Sequence, residues 1–398
     1  MPVPVAPSPA PTASMGWQRL GPVGLDRVDR LVGFAGGYVA LDGRAGAVAS
    51  SMDGTEWTTT RLPRAARQDD ATPSPIAVDM ATDGSMIVVV GGYGHRPCRP
   101  TDQGGGPGCA LSPVSWTSTD GITWSRSGDE RRSRDEERQF TAVWPDGTEG
   151  WEATVAGWEG EALTGGAVWR SQDGLAWAPG GAFPSAGGPE WSGPWHAEAA
   201  TRTGGTRIGW QSWMHFDPDS GTPETGYADS TMDTTLARSE DGSTWTAIAG
   251  FPGTSTTVTD ATTTLGDVPV WIMVGSSRAA DADVPTIWTS LDGATWAPQL
   301  LPVEPIDDPD AGVVGSVTSV ACPSSRCVAV GGTDPADLIP DQATWVNADA
   351  RDWQGLPRRP GADGGMLPRY VAAGPSGVIG VGGIGGEGGV GTWSWVLR

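Results

Sequence analysis

Lysine is absent from this chain of 398 residues, and all 25 basic residues are arginine. Against them stand 47 acids, for a net charge of −22. A surface this acidic repels phosphate backbones and anionic headgroups, which argues against nucleic acid and against direct membrane insertion. No apolar run approaches the roughly 18 residues of a membrane-spanning helix. Histidine is limited to 3 residues and no G-x-S-x-G elbow occurs, which argues against a Ser-His-Asp hydrolase. The 4 cysteines form two local pairs, Cys98/Cys109 and Cys322/Cys327. Neither pair has C-x-x-C spacing and only His95 lies near either, so two disulfides in an oxidising compartment are expected, not zinc. Acidic loops such as Asp217-Pro-Asp219 lack calcium-loop spacing and read as solvated. No metal and no cofactor are expected.

A sustained helical period is also missing. Gly 60 and Pro 34 disfavour helix interiors, and short apolar runs bounded by Gly, Pro, Asp and Ser recur throughout. The chain is therefore all-β. Residues 2–14 form a Pro/Ala/Ser tract of the kind that links a domain to an export signal or lipid anchor. Residues 1–15 are expected to be a disordered linker and 16–398 the folded domain, outside the cell or on its surface.

What the sequence does contain is a repeat. Five segments align without gaps: Ser51-Met-Asp53-Gly54-Thr-Glu-Trp57, Ser118-Thr-Asp120-Gly121-Ile-Thr-Trp124, Ser171-Gln-Asp173-Gly174-Leu-Ala-Trp177, Ser239-Glu-Asp241-Gly242-Ser-Thr-Trp245 and Ser290-Leu-Asp292-Gly293-Ala-Thr-Trp296. A sixth, Asn347-Ala-Asp349-Ala-Arg-Asp-Trp353, is degraded. Asp-Gly is a tight-turn pair because glycine takes positive φ without steric cost. The carboxylate accepts neighbouring N–H groups, and the tryptophan returns on the next strand to wedge between sheets. That use explains Trp 21 against Phe 5.

These motifs resemble the Asp box of sialidase-type (BNR) repeats, one residue shorter because Gly follows Asp directly. The resemblance implies a β-propeller and identifies a repeat, not an activity. Val/Gly-rich strands such as Ile87–Gly92, Val270–Gly275, Cys327–Gly332 and Val378–Gly383 precede each motif, giving four strands per blade. Six motif tryptophans and a final pair of strands predict seven blades. Residues 16–20 read as the missing outer strand, closing the last blade and covering its edge. Six blades with a frayed tail is the alternative.

Within such blades the first and third hairpin turns share one face, and the long second-hairpin loops and inter-blade connections share the other. The long loops fall on that second face, where function is expected. Candidate ligand-binding residues are Tyr93, His95, Trp158, Glu159, Trp191, Trp195, His196, Trp213, His215 and Tyr227. Aromatic rings beside carboxylates suit a protein, peptide or glycan ligand. Cys322–Cys327 reads as a staple on the turn face, and Arg126–Arg138 as a solvated mixed-charge loop.

The expectation is an exported, non-catalytic, monomeric binding propeller. The alternative is a glycoside hydrolase. A sialidase requires three arginines, a tyrosine nucleophile and an acid–base aspartate. Of Tyr38, Tyr93, Tyr227 and Tyr370, the last is best placed, but no N-terminal Phe/Tyr-Arg-Ile-Pro motif is present. Another glycosidase would need two facing acids, for which Asp79, Glu152, Glu159 and Glu198 are candidates.

Overall fold

The computed structural model describes residues 15–64, 76–94, 111–127, 137–147, 150–159, 162–182, 194–203, 206–216, 230–241, 244–249, 251, 256–264, 269–279, 282–301, 315–333, 342–347, 352–356, 368–384 and 391–398. They form seven four-stranded antiparallel sheets and, among the described residues, no helix. Blade 1 is Arg30–Phe34, Gly37–Asp42, Ala47–Ser51 and Thr58–Arg61; blade 2 is Ile76–Thr82, Ile87–Gly94, Leu111–Ser118 and Ser125–Arg126. Blade 3 is Glu137–Pro145, Trp151–Glu159, Ala162–Ser171 and Ala178–Ala182. Blade 4 is Pro194–Thr203, Thr206–Phe216, Ser230–Ser239 and Thr246–Ile248. Blade 5 is Thr256–Thr263, Trp271–Ala279, Ala282–Ser290 and Ala297–Leu300; blade 6 is Gly315–Ala321, Cys327–Thr333, Gln342–Asn347 and Trp353–Gly355. Blade 7 joins both ends of the chain: Tyr370–Gly374, Gly377–Ile384 and Gly391–Leu397 pair in turn, and Trp17–Pro22 adds the fourth strand.

The first strands touch their neighbours all the way round, blade 7 meeting blade 1, so the ring is closed. The closing strand sets Trp17 opposite Leu397 and Pro22 opposite Trp393. The Arg19 guanidinium lies 3.5 Å from the Trp393 ring centroid. Stacking a cation on an indole face adds attraction to the main-chain ladder.

Buried apolar residues fall into seven clusters, one for each interface between blades. Motif tryptophans supply much of this surface: Trp124 packs with Val39, Leu41 and Val48 of blade 1. Trp177 packs with Val88 and Val90 of blade 2, and Trp296 with Ile208 and Leu236 of blade 4. Each ring therefore reaches back onto the preceding blade. Burying such a ring removes about 150–250 Å² from water, the largest favourable contribution one side chain makes.

The turns are held as their residues dictate. Asp120 Oδ1 accepts the N–H groups of Ile122 at 2.8 Å and Thr123 at 2.7 Å, and Ser118 Oγ accepts that of Gly121 at 2.9 Å. Asp292 and Ser290 repeat this at 2.8, 2.7 and 2.8 Å. Gly121 has φ of 72°, and a Cβ there would stand 2.8 Å from the Val39 side chain of blade 1. Glycine follows aspartate for two reasons, the left-handed backbone and the close approach of the preceding blade. Asp349 lies outside the described residues.

Interface 3–4 holds, among the described residues, the apolar cluster Ala142, Trp144, Val168, Ala237 and Trp245, and adds an ionic one. Glu152 is fully buried there. Its carboxylate lies 3.1 Å from Arg170 Nε and 3.1 Å from Arg207 Nε, and accepts Trp144 Nε1–H at 3.0 Å. The Arg207 Nε–H is not aimed well enough to complete a hydrogen bond, so that pairing is chiefly charge–charge. Burial pushes the Glu152 carboxyl up, against the pull of Arg207, Trp144 and Arg170.

Candidate functional site

The first strands of blades 2 to 6 each carry a β-bulge, at Ala77/Asp79, Phe140/Ala142, Glu198/Thr201, Val258/Asp260 and Val317/Ser319. A bulge re-aims the side chain that follows it. Asp79 follows one. Its Oδ2 accepts Val143 N–H of blade 3 at 2.9 Å, and its Oδ1 pairs with Arg30 Nε of blade 1 at 2.8 Å. Asp260 Oδ2 accepts Val320 N–H of blade 6 at 2.9 Å and Ser319 Oγ–H at 3.1 Å. Ser319 Oγ in turn accepts Val371 N–H of blade 7 at 3.3 Å. Side chains at this repeated position thus tie the inner strands of blades 2, 5 and 6 each to the next.

Inside this ring is a cavity of about 780 Å³. Arg30, Asp79, Trp144, Trp210, Asp260 and Tyr370 are among its walls, with Thr82, Thr262 and Thr318 supplying hydroxyls. Its lining runs from the middle of the inner strands to the first-hairpin turns at Gly147 and Cys322, the half nearer the S-x-D-G turns. Trp210 Nε1 is buried with no hydrogen-bond partner among the described residues, a donor that a bound polar group would satisfy. Arg30 is the only arginine among the described lining residues. Arg369 is exposed beside Tyr370, its guanidinium carbon 5.9 Å from the ring centroid.

Of the acids considered for glycoside cleavage, Glu152 is sealed between blades and Asp79 is tied across three of them. Only backbone positions are described for Glu159 and Glu198. Sequence reasoning passed over Arg30, Trp144, Trp210 and Asp260. The available signal was a weak second repeat, Val78-Asp79, Thr259-Asp260 and Thr318-Ser319, at the bulge.

The opposite rim carries the described ones among the expected ligand-binding residues. Seven of them lie on strands, where loops were expected. Tyr93 pairs with Ser112, Trp158 with Leu163, and Glu159 with Ala162; Trp213 pairs with Asp233 and His215 with Thr231. Trp195 and His196 lie in Pro194–Thr203, the inner strand of blade 4. Runs such as Trp210–Phe216 hold no turn residue, so the ladder continues to Phe216. The second strand has 11 residues in blade 4, against 9 in blades 3 and 5, 8 in blades 2 and 7 and 6 in blade 1, so blade 4 reaches furthest at this end. His95, Trp191, Tyr227, Cys98 and Cys109 lie outside the described residues. Cys322 and Cys327 form a disulfide in the first hairpin of blade 6, on the turn face.

No protein-family model matches the chain, and no curated protein sequence does. Solved structures do. An ulvan lyase of a polysaccharide lyase family, bound to a GlcA–Rha3S repeat, aligns over 97% of this chain and 97% of its own at 11% identity and TM-score 0.54. A Trypanosoma rangeli sialidase mutant displaying trans-sialidase activity aligns over 93% of this chain at 11% identity and TM-score 0.50. The wild-type sialidase with the inhibitor DANA aligns at 10% identity and TM-score 0.49. The chain spans about half the length of the sialidase chains, 54% in both. At such identities the likeness is one of fold alone, and the fold of this chain is a seven-bladed β-propeller.

Proposed function

We propose that this chain is an exported, non-catalytic recognition propeller that engages a protein, peptide or glycan at the rim opposite the S-x-D-G turns. The observation that carries this reading is the state of the two acids among the described lining residues of the channel. Asp79 and Asp260 are both held by main-chain amides of the next blade, and Asp79 also by Arg30. General acid–base or nucleophilic work on a glycoside needs carboxylates that face the substrate and exchange protons or form bonds. Acids held as inter-blade ties are poorly suited to either.

The rim supports recognition on other grounds. It brings the backbones of Tyr93, Trp158, Glu159, Trp213 and His215 to the ends of three consecutive blades. Rigid strands projecting aromatics and acids beside longer loops form a common recognition platform. Export agrees with the Cys322–Cys327 disulfide, and no described helix is long and apolar enough to cross a membrane.

Two measurements test the reading together. A panel of fluorogenic glycosides that includes sialosides is expected to show no turnover above a heat-denatured control. A glycan array beside a peptide library is expected to yield a ligand whose affinity falls about tenfold or more in Trp158→Ala or Trp213→Ala, as for central aromatic anchors. Turnover that Asp79→Asn or Asp260→Asn abolishes, with folding intact, would replace the binding module with a carbohydrate-cleaving enzyme.

A further inference from the structure

The turn face carries a feature that neither the repeat nor the rim explains. Five large apolar side chains are exposed among the described residues: Met52, Ile76, Ile122, Leu291 and Leu300. Three of them, Met52, Ile122 and Leu291, stand beside the aspartate of an S-x-D-G turn. Met52 is 81% and Ile122 51% exposed. Scattered single apolar residues are ordinary on a protein surface, but repeated placement on one face is not scatter.

Met52 and Ile122 line the same groove. It lies between the turns of blades 1 and 2, holds about 470 Å³, and is walled also by Phe34, Asp53, Glu56 and Asp120. The acids are available. Asp53 and Asp120 each hold their own turn, chiefly through Oδ1, with the Glu56 N–H and the Thr123 hydroxyl also bonding to them, and both side chains, like that of Glu56, remain exposed. None of Asp53, Glu56 and Asp120 forms an ion pair among the described residues. The N–H groups of Thr123 and Ile122 hold the Asp120 carboxyl down to about 2, so it is anionic at any physiological pH.

We propose that this groove docks an extended, cationic and apolar segment of a partner protein, with arginine or lysine side chains on Asp53, Glu56 and Asp120 and apolar ones against Met52 and Ile122. Charge complementarity selects the occupant. Three exposed carboxylates around two exposed apolar side chains disfavour acidic or purely apolar segments and fit one that alternates positive and apolar residues. This surface is opposite the rim of the proposed recognition function and is independent of it.

The probe is a fluorescein-labelled peptide of twelve residues alternating Arg and Leu, titrated by anisotropy against the full chain. Two controls alternate Arg with Ser and Glu with Leu. Binding by the Arg/Leu peptide alone is expected, weakening as salt rises. The triple variant Met52→Ser, Ile122→Ser, Glu56→Gln leaves every turn hydrogen bond in place. It is expected to keep the parent Tm and weaken binding by about tenfold. Glu56→Lys alone provides a second variant, expected to weaken binding without touching the turns. Three results overturn the proposal: no binding at millimolar protein, equal binding of the Arg/Ser peptide, or unchanged affinity in both variants. Equal binding of the Arg/Ser peptide would mean that the net charge of −22 attracts any polycation.

Discussion

At the residue scale, one glycine and one carboxylate show how much each turn depends on particular atoms. Gly121 combines φ of 72° with a would-be Cβ 2.8 Å from Val39. Gly121→Ala is therefore expected to lose about 1–3 kcal/mol, through backbone strain and a push against blade 1. Urea unfolding of the variant checks this, and a change below about 0.5 kcal/mol would refute it. Asp120 and Asp292 are both held down to about 2 by backbone N–H groups. An unfolded aspartate titrates near ~3.9. A carboxylate with a lowered folded pKa stabilises the fold above its unfolded value and loses that contribution as pH falls through its folded one. Tm is thus expected to drop between about pH 4 and pH 2, and the double variant Asp120→Asn, Asp292→Asn to flatten that drop. Calorimetry across the range, with a parallel slope in the variant, would count against it. Glu152 behaves in the opposite sense, since burial pushes it up. Arg207→Ala removes one of its two cations and is expected to destabilise by ~3 kcal/mol. The double variant Glu152→Gln, Arg207→Ala should recover part of that loss.

At the element scale, the closing strand and the blade 6 hairpin carry the clearest expectations. Trp17 Nε1–H donates to Thr344 Oγ1 of blade 6 at 2.9 Å, as Trp177 does to Ser115 of blade 2 at 3.0 Å. The N-terminal strand therefore occupies the place of an ordinary outer strand. Trp17→Ala with Arg19→Ala is expected to lower Tm by several degrees and to raise self-association by exposing the edge Gly391–Leu397, read by light scattering. Cys322→Ser with Cys327→Ser is expected to cost about 2 kcal/mol, because the bridge closes a short loop, while leaving rim binding unchanged. Much at this scale was legible in the chain. Asp-Gly, Ser and Trp are loud because turn geometry and ring burial admit few substitutes, and Gly-Trp17 announced its own strand. The inner-strand bulges were silent. Their work is done by main-chain amides meeting whichever of Asp or Ser follows, so Val78-Asp79 and Thr318-Ser319 share almost no side-chain chemistry. Strand ends near Phe216 and Glu159 were misplaced because a continuous ladder carries no stop signal until a turn residue arrives.

At the scale of the whole molecule, the ring has two unlike faces, one of short acidic turns and one of long, rising hairpins. The division follows from the alternating direction of four strands and was readable from loop lengths alone. The cavity's position was not, since it depends on how inner strands bend at their bulges. Both ends of the chain meet on the turn side, where Gly16 N–H donates to the Arg398 carbonyl at 2.8 Å and Arg398 N–H to that of Gly16 at 3.1 Å. The order of the blades is consequently cyclic, and the chemical break in blade 7 is spanned by hydrogen bonds. A short peptide bridge from Arg398 to Gly16, with a fresh opening cut between blades 6 and 7, between positions 356 and 368, would yield a permuted polypeptide with the same neighbours around the same axis. Its spectrum should overlay the parent's, and every blade would then begin and end within one uninterrupted stretch of backbone.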